Sequence, residues 1–458
     1  MRRHFLFVWV SVFCAVILWM FGGASAFAAD RSSVAVPSPA VKANPERVEK
    51  MKKNGADEKK ESDVQKKTDP EKRGRAAKEE PIIRVGLSEE QASAVLTADG
   101  AYVFRDTMSG EELGKRKANS VSTITVKNRR FVVDGKAVSA KSLRFAIADA
   151  RSSRYLSVAG EKYRGTIVLL LADDGTITVV NEVRLDDYIG GVISEEMSPD
   201  WPAEALKAQA VAARTFAVYS LGKHDEDGYD VCATTHCQVY GGIGSESPEG
   251  MRAVSATRGE IMTYQGKPIY AAFYASSGGM TAGSEETGGM ALPYLQAVRD
   301  PEDKVAPNRH WQVSLSPREL ASKLASAGVS VGTLKAIELT PLEMGKSASD
   351  RYASGRVKNV RFIGTQQRID VAGPKLRWIV GLPSTLFDIR YGTEKKTAPN
   401  TKGKIAISDQ SAVIVFDGYG RGHGVGMSQW GAYGMAQKSK YREILSRYYK
   451  NVDVTWLF

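Results

Sequence analysis

Cysteine is nearly absent: the chain of 458 residues has three, and Cys14 lies in the first apolar stretch. That excludes a disulfide-stapled framework and leaves only Cys232 and Cys237 for thiol chemistry further on. Aromatic residues are missing altogether between residues 31 and 80, where Lys and Glu are dense. Such a segment cannot bury enough apolar surface to offset the entropy of ordering it, so residues 30–80 are expected to be a disordered charged linker. Long apolar runs are confined to one place. After Arg2, Arg3 and His4, residues 5–29 carry no charge and end in small-residue triplets suited to cleavage. The same stretch is long enough to cross a bilayer, which takes roughly 18 apolar residues or more. Residues 1–29 therefore read as a signal peptide or an N-terminal membrane anchor, and the basic residues before them predict an extracytoplasmic location for the rest, membrane-anchored or secreted.

Some familiar devices are lacking as well. The glycine-rich stretch near the C-terminus has neither the Lys-Ser/Thr ending of a phosphate loop nor dinucleotide-fold spacing. No G-x-S-x-G elbow surrounds Ser276 or Ser277, which read as hydrogen-bonding loop residues. There is no internal repeat. What the chain has in excess is positive charge, formally +11, which favours a polyanionic partner: nucleic acid, an anionic membrane or a cell-wall polymer. Nucleic acid is disfavoured, since no recognition motif accompanies the charge and export separates the two.

From Pro81 the composition turns globular. Residues 82–87, 122–126 and 131–133 read as short strands, and 165–171 and 175–180 flank Asp173-Asp174-Gly175 as a hairpin. Residues 185–193 suit a short helix, and Pro202 with Glu204 marks the start of an alanine-rich helix to about Leu221. Further strands are expected at 260–264, 269–274, 334–339, 357–363, 368–371 and within 405–416. Ser316 and Glu319 form a capping box for a helix to about Ala325, and 427–437 and 441–449 look helical. The sum is an α+β fold of mixed short strands and helices over residues 81–458, with no obvious boundary inside it.

Three constellations stand out. Glu195 and Glu196 are consecutive and so face different ways, unlike the across-the-cleft pair of an ordinary glycosidase. One of them, flanked by Met197 and Trp201, could have its pKa raised by desolvation and donate a proton near neutrality; exposed helix-end acids are commoner. Lys207 and Arg214 lie one heptad apart on the helix that follows. Next come Cys232, His236 and Cys237, with His224 eight residues upstream. Two thiolates and one or two imidazoles fit tetrahedral zinc, closed and structural if both imidazoles bind; a Cys232–Cys237 disulfide, or two reduced cysteines with a structural histidine, fits the spacing as well. Last, glycines at 418, 420, 422, 424 and 426 allow unusual backbone angles and present Arg421, His423, Ser428 and Gln429 toward a cleft. His310-Trp311 reads as a half-buried aromatic pair.

The strings EEMSPDWPAEALKAQAVAARTFAVY (195–219), YASSGGMT (274–281), LRWIVGLPSTLFDI (376–389) and GRGHGVGMSQWGAYGMA (420–436) occur in the order seen in the stage II sporulation protein D (SpoIID) family, also labelled amidase enhancer or LytB-like. The resemblance runs from about Pro81 to the C-terminus. It implies a peptidoglycan lytic transglycosylase that cuts the MurNAc-GlcNAc bond of peptide-stripped glycan strands and leaves 1,6-anhydro-MurNAc, in wall remodelling during sporulation and engulfment. The family's catalytic glutamate directly precedes Met, which makes it Glu196 here. Lys207, Arg214, Arg421, His423, Ser428 and Gln429 are then candidates to orient sugar or line the cleft. The resemblance also favours structural zinc on Cys232 and Cys237, with His224 as third ligand and His236 as fourth, and no cofactor for the chemistry itself. Expected partners are glycan strands, a cell-wall amidase and an engulfment membrane protein. The competing reading is a non-catalytic wall-binding protein that stimulates an N-acetylmuramoyl-L-alanine amidase.

Overall fold

A computed structural model describes residues 79–149, 154–393 and 395–458. The expected leader, residues 1–29, and the linker up to residue 78 lie outside the described residues. Glu80, at the expected end of that linker, already belongs to the body: its carboxylate accepts the Asp186 amide at 2.8 Å. Among the described residues no helix is long and apolar enough to cross a membrane.

Two sheets open the body. The first runs in spatial order Val231–Cys232, Ile82–Gln91, Ile177–Arg184, Thr166–Leu171, Ser142–Ile147, Tyr102–Asp106, Glu112–Arg116. Its pairings are antiparallel apart from the short parallel contact of Val85 and Gly86 with Val231 and Cys232. The second runs Glu161–Tyr163, Leu156–Val158, Ser93–Ala98, Ser122–Lys127, Arg130–Val133, Lys136–Ala137. The period-2 pattern drives the burial: in Ser122–Lys127, Ser122 and Ile124 point inward while Thr123, Thr125 and Lys127 face solvent.

The inner faces share one core with three helices, α1 (Leu185–Glu196), α2 (Ala203–Tyr219) and α3 (Pro248–Ala256). In α1 the apolar residues Leu185, Tyr188, Ile189, Val192 and Ile193 fall on one helical face and are all buried. Asp186 and Asp187 suit the positive end of its dipole. Gly191 lets the helix lie against Tyr240, since a Cβ there would sit 2.5 Å from the ring. The alanines of α2 permit similarly close packing against α1 and α3. Ser247 caps α3 by accepting the Gly250 amide at 3.0 Å.

A second hydrophobic core, from Trp311 to Phe416, gathers two four-stranded sheets with α4 (Pro317–Ser326) and α5 (Gly373–Val380). The capping box predicted at Ser316 and Glu319 is formed in full. The chain then returns to the first core through α6 (Gln429–Met435), α7 (Tyr441–Tyr448) and the strand Asp453–Trp456, which pairs with Glu260–Tyr264. Mixed strands and helices are thus the observed class, as the sequence predicts. Residues 269–274 do not form the single strand expected. Phe273 and Tyr274 instead pair in parallel with Met427 and Ser428, the two residues expected to open a helix. That pairing ties the glycine-rich segment to the first core and delays α6 to Gln429.

Candidate active site

Glu196 is the last residue of α1, and Met197 leaves the helix in an extended conformation. The Glu196 side chain is crowded by neighbouring atoms but remains partly open to solvent. Gln429 donates from Nε2 to Glu196 Oε2 at 3.2 Å. Burial pushes the Glu196 pKa up to about 7; the Gln429 donor opposes the shift and the Glu195 charge adds to it. The negative end of the α1 dipole, with no basic residue in the last turn, acts in the same upward direction. A carboxyl group so placed can give up a proton near neutrality and take one back.

Glu195 has different surroundings. It is exposed and accepts a hydrogen bond from the Ser245 hydroxyl. Successive residues on a helix point about 100° apart, so the two acids face separate neighbours.

Gln429 reaches Glu196 because of what precedes it. Gly420, Gly422, Gly424 and Gly426 all have φ between 73° and 105°, a region costly for other residues. A Cβ at Gly426 would sit 1.9 Å from the Ala272 carbonyl oxygen. The fully buried Ser428 caps α6 by accepting the Gly431 amide at 3.1 Å and donates to Asp303 Oδ1 at 2.9 Å. Asp303, equally buried, also accepts the Ser276 hydroxyl and the Ser277 and Gly278 amides, each at 2.9 Å. One carboxylate therefore fastens the Ser276–Gly278 loop to the residue next to Gln429.

Three partly exposed aromatic rings stand beside these residues. Trp201 and Trp430 have centroids 4.6 Å apart, and Tyr433 lies 5.1 Å from Trp201 and 5.2 Å from Trp430. Trp201 also borders a cleft of about 490 Å³ that opens between α2 and α3, walled by Leu206, Lys207, Arg252 and Ala253. That size is within the range of small-molecule sites.

The remaining predicted residues are dispersed. Lys207 lines the cleft, with Nζ 2.8 Å from Glu204. Arg214 is fully enclosed: Nε bonds Asp186 Oδ1 at 2.6 Å and Nη1 bonds the Glu260 carbonyl at 3.1 Å, so it ties α2 to α1 and offers nothing to a ligand. Arg421 pairs through its backbone with Ser276. His423 places both ring nitrogens on backbone, Nε2 on the Phe273 carbonyl at 3.0 Å and Nδ1 on the Val425 amide at 3.1 Å. Burial holds its pKa down to about 4, so the ring is neutral. Of the candidates, then, Gln429 meets Glu196, Ser428 positions Gln429, and Lys207 borders the cleft. Sequence reasoning passes over Trp430, Tyr433 and Asp303, and it treats Trp201 only as a desolvating neighbour. The Trp430–Tyr433 spacing of i, i+3 on a helix was the available signal for a shared aromatic face.

The second constellation assembles closely. The ligand atoms of His224, Cys232, His236 and Cys237 all lie within 4.8 Å of one another. Cys237 Sγ is 3.5 Å from His224 Nε2, and Cys232 Sγ is 3.6 Å from His236 Nδ1. Asp227 holds the other nitrogen of His224 at 3.1 Å, the kind of outer contact that orients a metal-binding imidazole. Both cysteines are free thiols. A hydrogen bond from Cys237 pulls the Cys232 thiol down to about 3, while that same bond and burial push Cys237 up. Two sulfurs and two imidazole nitrogens at these separations suit a four-coordinate ion with no open position.

Residues 173–264 match the family model described as stage II sporulation protein. An uncharacterized protein of Brachyspira hyodysenteriae is 34% identical over 375 residues, covering 81% of this chain and 92% of that one. Stage II sporulation protein D of Bacillus amyloliquefaciens is 31% identical over 293 residues, 60% of this chain and 75% of the relative. The chain belongs to the stage II sporulation protein D family. The Bacillus subtilis amidase enhancer is 29% identical over 341 residues, but this chain spans only 47% of its length. The matched family segment takes in α1, α2 and α3, and with them Glu196, Trp201 and the Cys/His cluster. Gln429 and Trp430 lie outside it and reach the site through the fold.

Proposed function

We propose that this SpoIID-family protein acts on the cell wall as a lytic transglycosylase, with Glu196 as its single acid and base. The observation that carries the reading is one partly desolvated carboxyl group held by Gln429, whose neighbour Trp430 stacks with Trp201, while the adjacent acid Glu195 is turned to Ser245. Protonated Glu196 gives its proton to the glycosidic oxygen between MurNAc and GlcNAc as positive charge develops at the muramoyl C1. The resulting carboxylate accepts the proton of the muramoyl 6-hydroxyl as that oxygen bonds to C1, which closes the 1,6-anhydro ring and restores the acid. No water is consumed. Gln429 fixes the carboxyl group, and the aromatic faces give the apolar side of a pyranose somewhere to rest.

In this reading zinc is structural. His224, Cys232, His236 and Cys237 would hold it, and it would brace the turn that carries them. The protein works outside the cytoplasm, facing the wall as an anchored or secreted protein. Its sporulation-named relatives support a role in sporulation or wall remodelling, and the amidase-enhancer relative supports an amidase as partner; an engulfment membrane protein is part of the proposal alone.

The test is incubation of the purified protein and of Glu196→Gln with amidase-treated glycan strands. Anhydromuramic ends from the wild type and none from the variant are expected. Reducing ends in their place would make it a hydrolase. No product from either protein, with amidase activity raised equally by both, would favour the binding-protein reading.

A further inference from the structure

The positive charge of the described body is concentrated in one stretch, which the proposed chemistry leaves unused. Residues 113–148 hold nine Lys or Arg and one acid, Asp134. That acid is already taken: Arg116 Nη2 bonds it at 2.6 Å and the Thr123 amide at 2.8 Å. Lys115 and Arg144 pair with Glu112 and Glu182 from outside the stretch. Lys117, Lys127, Arg129, Arg130, Lys136 and Lys141 are all exposed and have no acidic partner among the described residues.

Their arrangement is extended. Lys127 and Arg130 are register partners at the tip of the hairpin formed by Ser122–Lys127 and Arg130–Val133, so two like charges stand directly opposite, a destabilising pairing. Asn128 and Arg129 make the turn with φ of 51° and 57°, and Arg occupies a position where Gly is the usual choice. Lys136 lies across from Val133 at the other end of the second strand, roughly 10 Å along it by strand rise. No aromatic side chain is exposed on this hairpin, so it offers neither a stacking platform for bases nor an anchor for a lipid interface. The same sheet places the hairpin away from the acid. Its opposite edge, Glu161–Tyr163, packs on Gly242–Ser245, whose Ser245 bonds Glu195. Four strand spacings separate that edge from Arg130–Val133, roughly 19 Å.

We infer that the basic hairpin around Lys127, Arg129 and Arg130, with Lys136, is a docking surface for a linear phosphodiester polymer of the wall, separate from the acid site at Glu196. A row of cations with no enclosing pocket suits a chain of repeated charges more than a single anion, and each phosphate gained releases bound counterions. Naming the wall as the source of the polymer rests on the proposed function; the polyanion surface itself does not.

The test uses purified poly(glycerol phosphate) and the triple variant Lys127→Gln, Arg129→Gln, Arg130→Gln, all at exposed positions. Wild-type binding is expected to weaken about 10-fold or more between roughly 50 and 200 mM salt, and the variant to lose about 10-fold at low salt. Cleavage of short soluble glycan strands by the variant should equal that of the wild type. Equal polymer binding by the two proteins overturns the inference, as does binding of anionic vesicles without binding of the polymer. Lack of glycan cleavage by the wild type would bear on Glu196 alone, because the binding measurement needs no turnover.

Discussion

The acid site and the Cys/His cluster sit in the same core and are built in opposite ways. His224, Cys232, His236 and Cys237 come from one run of the chain, whereas Glu196, Trp201, Gln429 and Trp430 come from segments far apart in sequence. The cluster's members lie within reach of one another. The acid site keeps a carboxyl group where its charged form is disfavoured, with little but Gln429 to offset the cost. The acid site costs stability, as expected where chemistry needs an ill-solvated acid.

The sharpest way to break that contrast is Glu196→Gln. Activity should fall on the order of 10³-fold, the usual worth of a general acid and base, while stability rises. The native pKa of about 7 stands above the ordinary 4.5, so the folded state binds this proton more tightly than the unfolded one. The group's contribution to stability is therefore lost as pH rises from the ordinary value through about 7. At pH 8 the variant should be more stable by on the order of 1–2 kcal/mol, a figure reduced for the side chain's partial contact with solvent. At pH 4 the two proteins should match. Denaturant titrations at both pH values check this, and equal stability at pH 8 would mean that the carboxyl group is well solvated.

The reverse is expected of the cluster. Cys232→Ser should lower bound zinc, measured by elemental analysis, and reduce Tm by on the order of 10 °C. Activity per folded molecule should stay within about two-fold, because a four-ligand site leaves no position for substrate. A large loss of activity in fully folded protein would put the ion in the reaction.

This contrast also explains what could be read from sequence. The cluster was legible because its ligands are spaced within one short segment, and α1 and α2 because apolar periodicity and Pro202 mark them. The capping box at Ser316 gave α4 for the same local reason. Arg214 was misleading because a helix pattern gives the neighbours on the helix but not the partner across it; Asp186 proves to be that partner. His423 looked available in a glycine-rich ribbon, yet the ribbon's tight path turns both ring nitrogens onto backbone. The Gln429–Glu196 contact and the Asp303 junction depend on packing between distant segments, which periodicity does not report. The two cores went unseen because strands of similar length and composition continue across both.

A milder change tests the support around the acid. Gln429→Leu removes the donor that lowers the Glu196 pKa. The Glu196 pKa should therefore rise, and the fall of activity at alkaline pH, where the acid loses its proton, should move to higher pH. The maximal rate should drop about 10-fold as the carboxyl group loses its fixed orientation. A pH–rate profile with an unmoved alkaline limb would show that the 3.2 Å contact has no part in setting the acid.

The smallest effect is expected one residue away. Glu195→Gln keeps an oxygen that can accept the Ser245 hydroxyl, so the local structure should persist. It also removes a nearby negative charge, a minor contributor to the Glu196 pKa, and the alkaline limb should shift slightly to lower pH. The two adjacent substitutions thus predict opposite outcomes from the same chemical change: near-complete loss at 196, and activity within about two-fold at 195. If Glu195→Gln abolished anhydromuramic ends as fully as Glu196→Gln, a mechanism with one acid would have to give way to one in which both carboxylates take part.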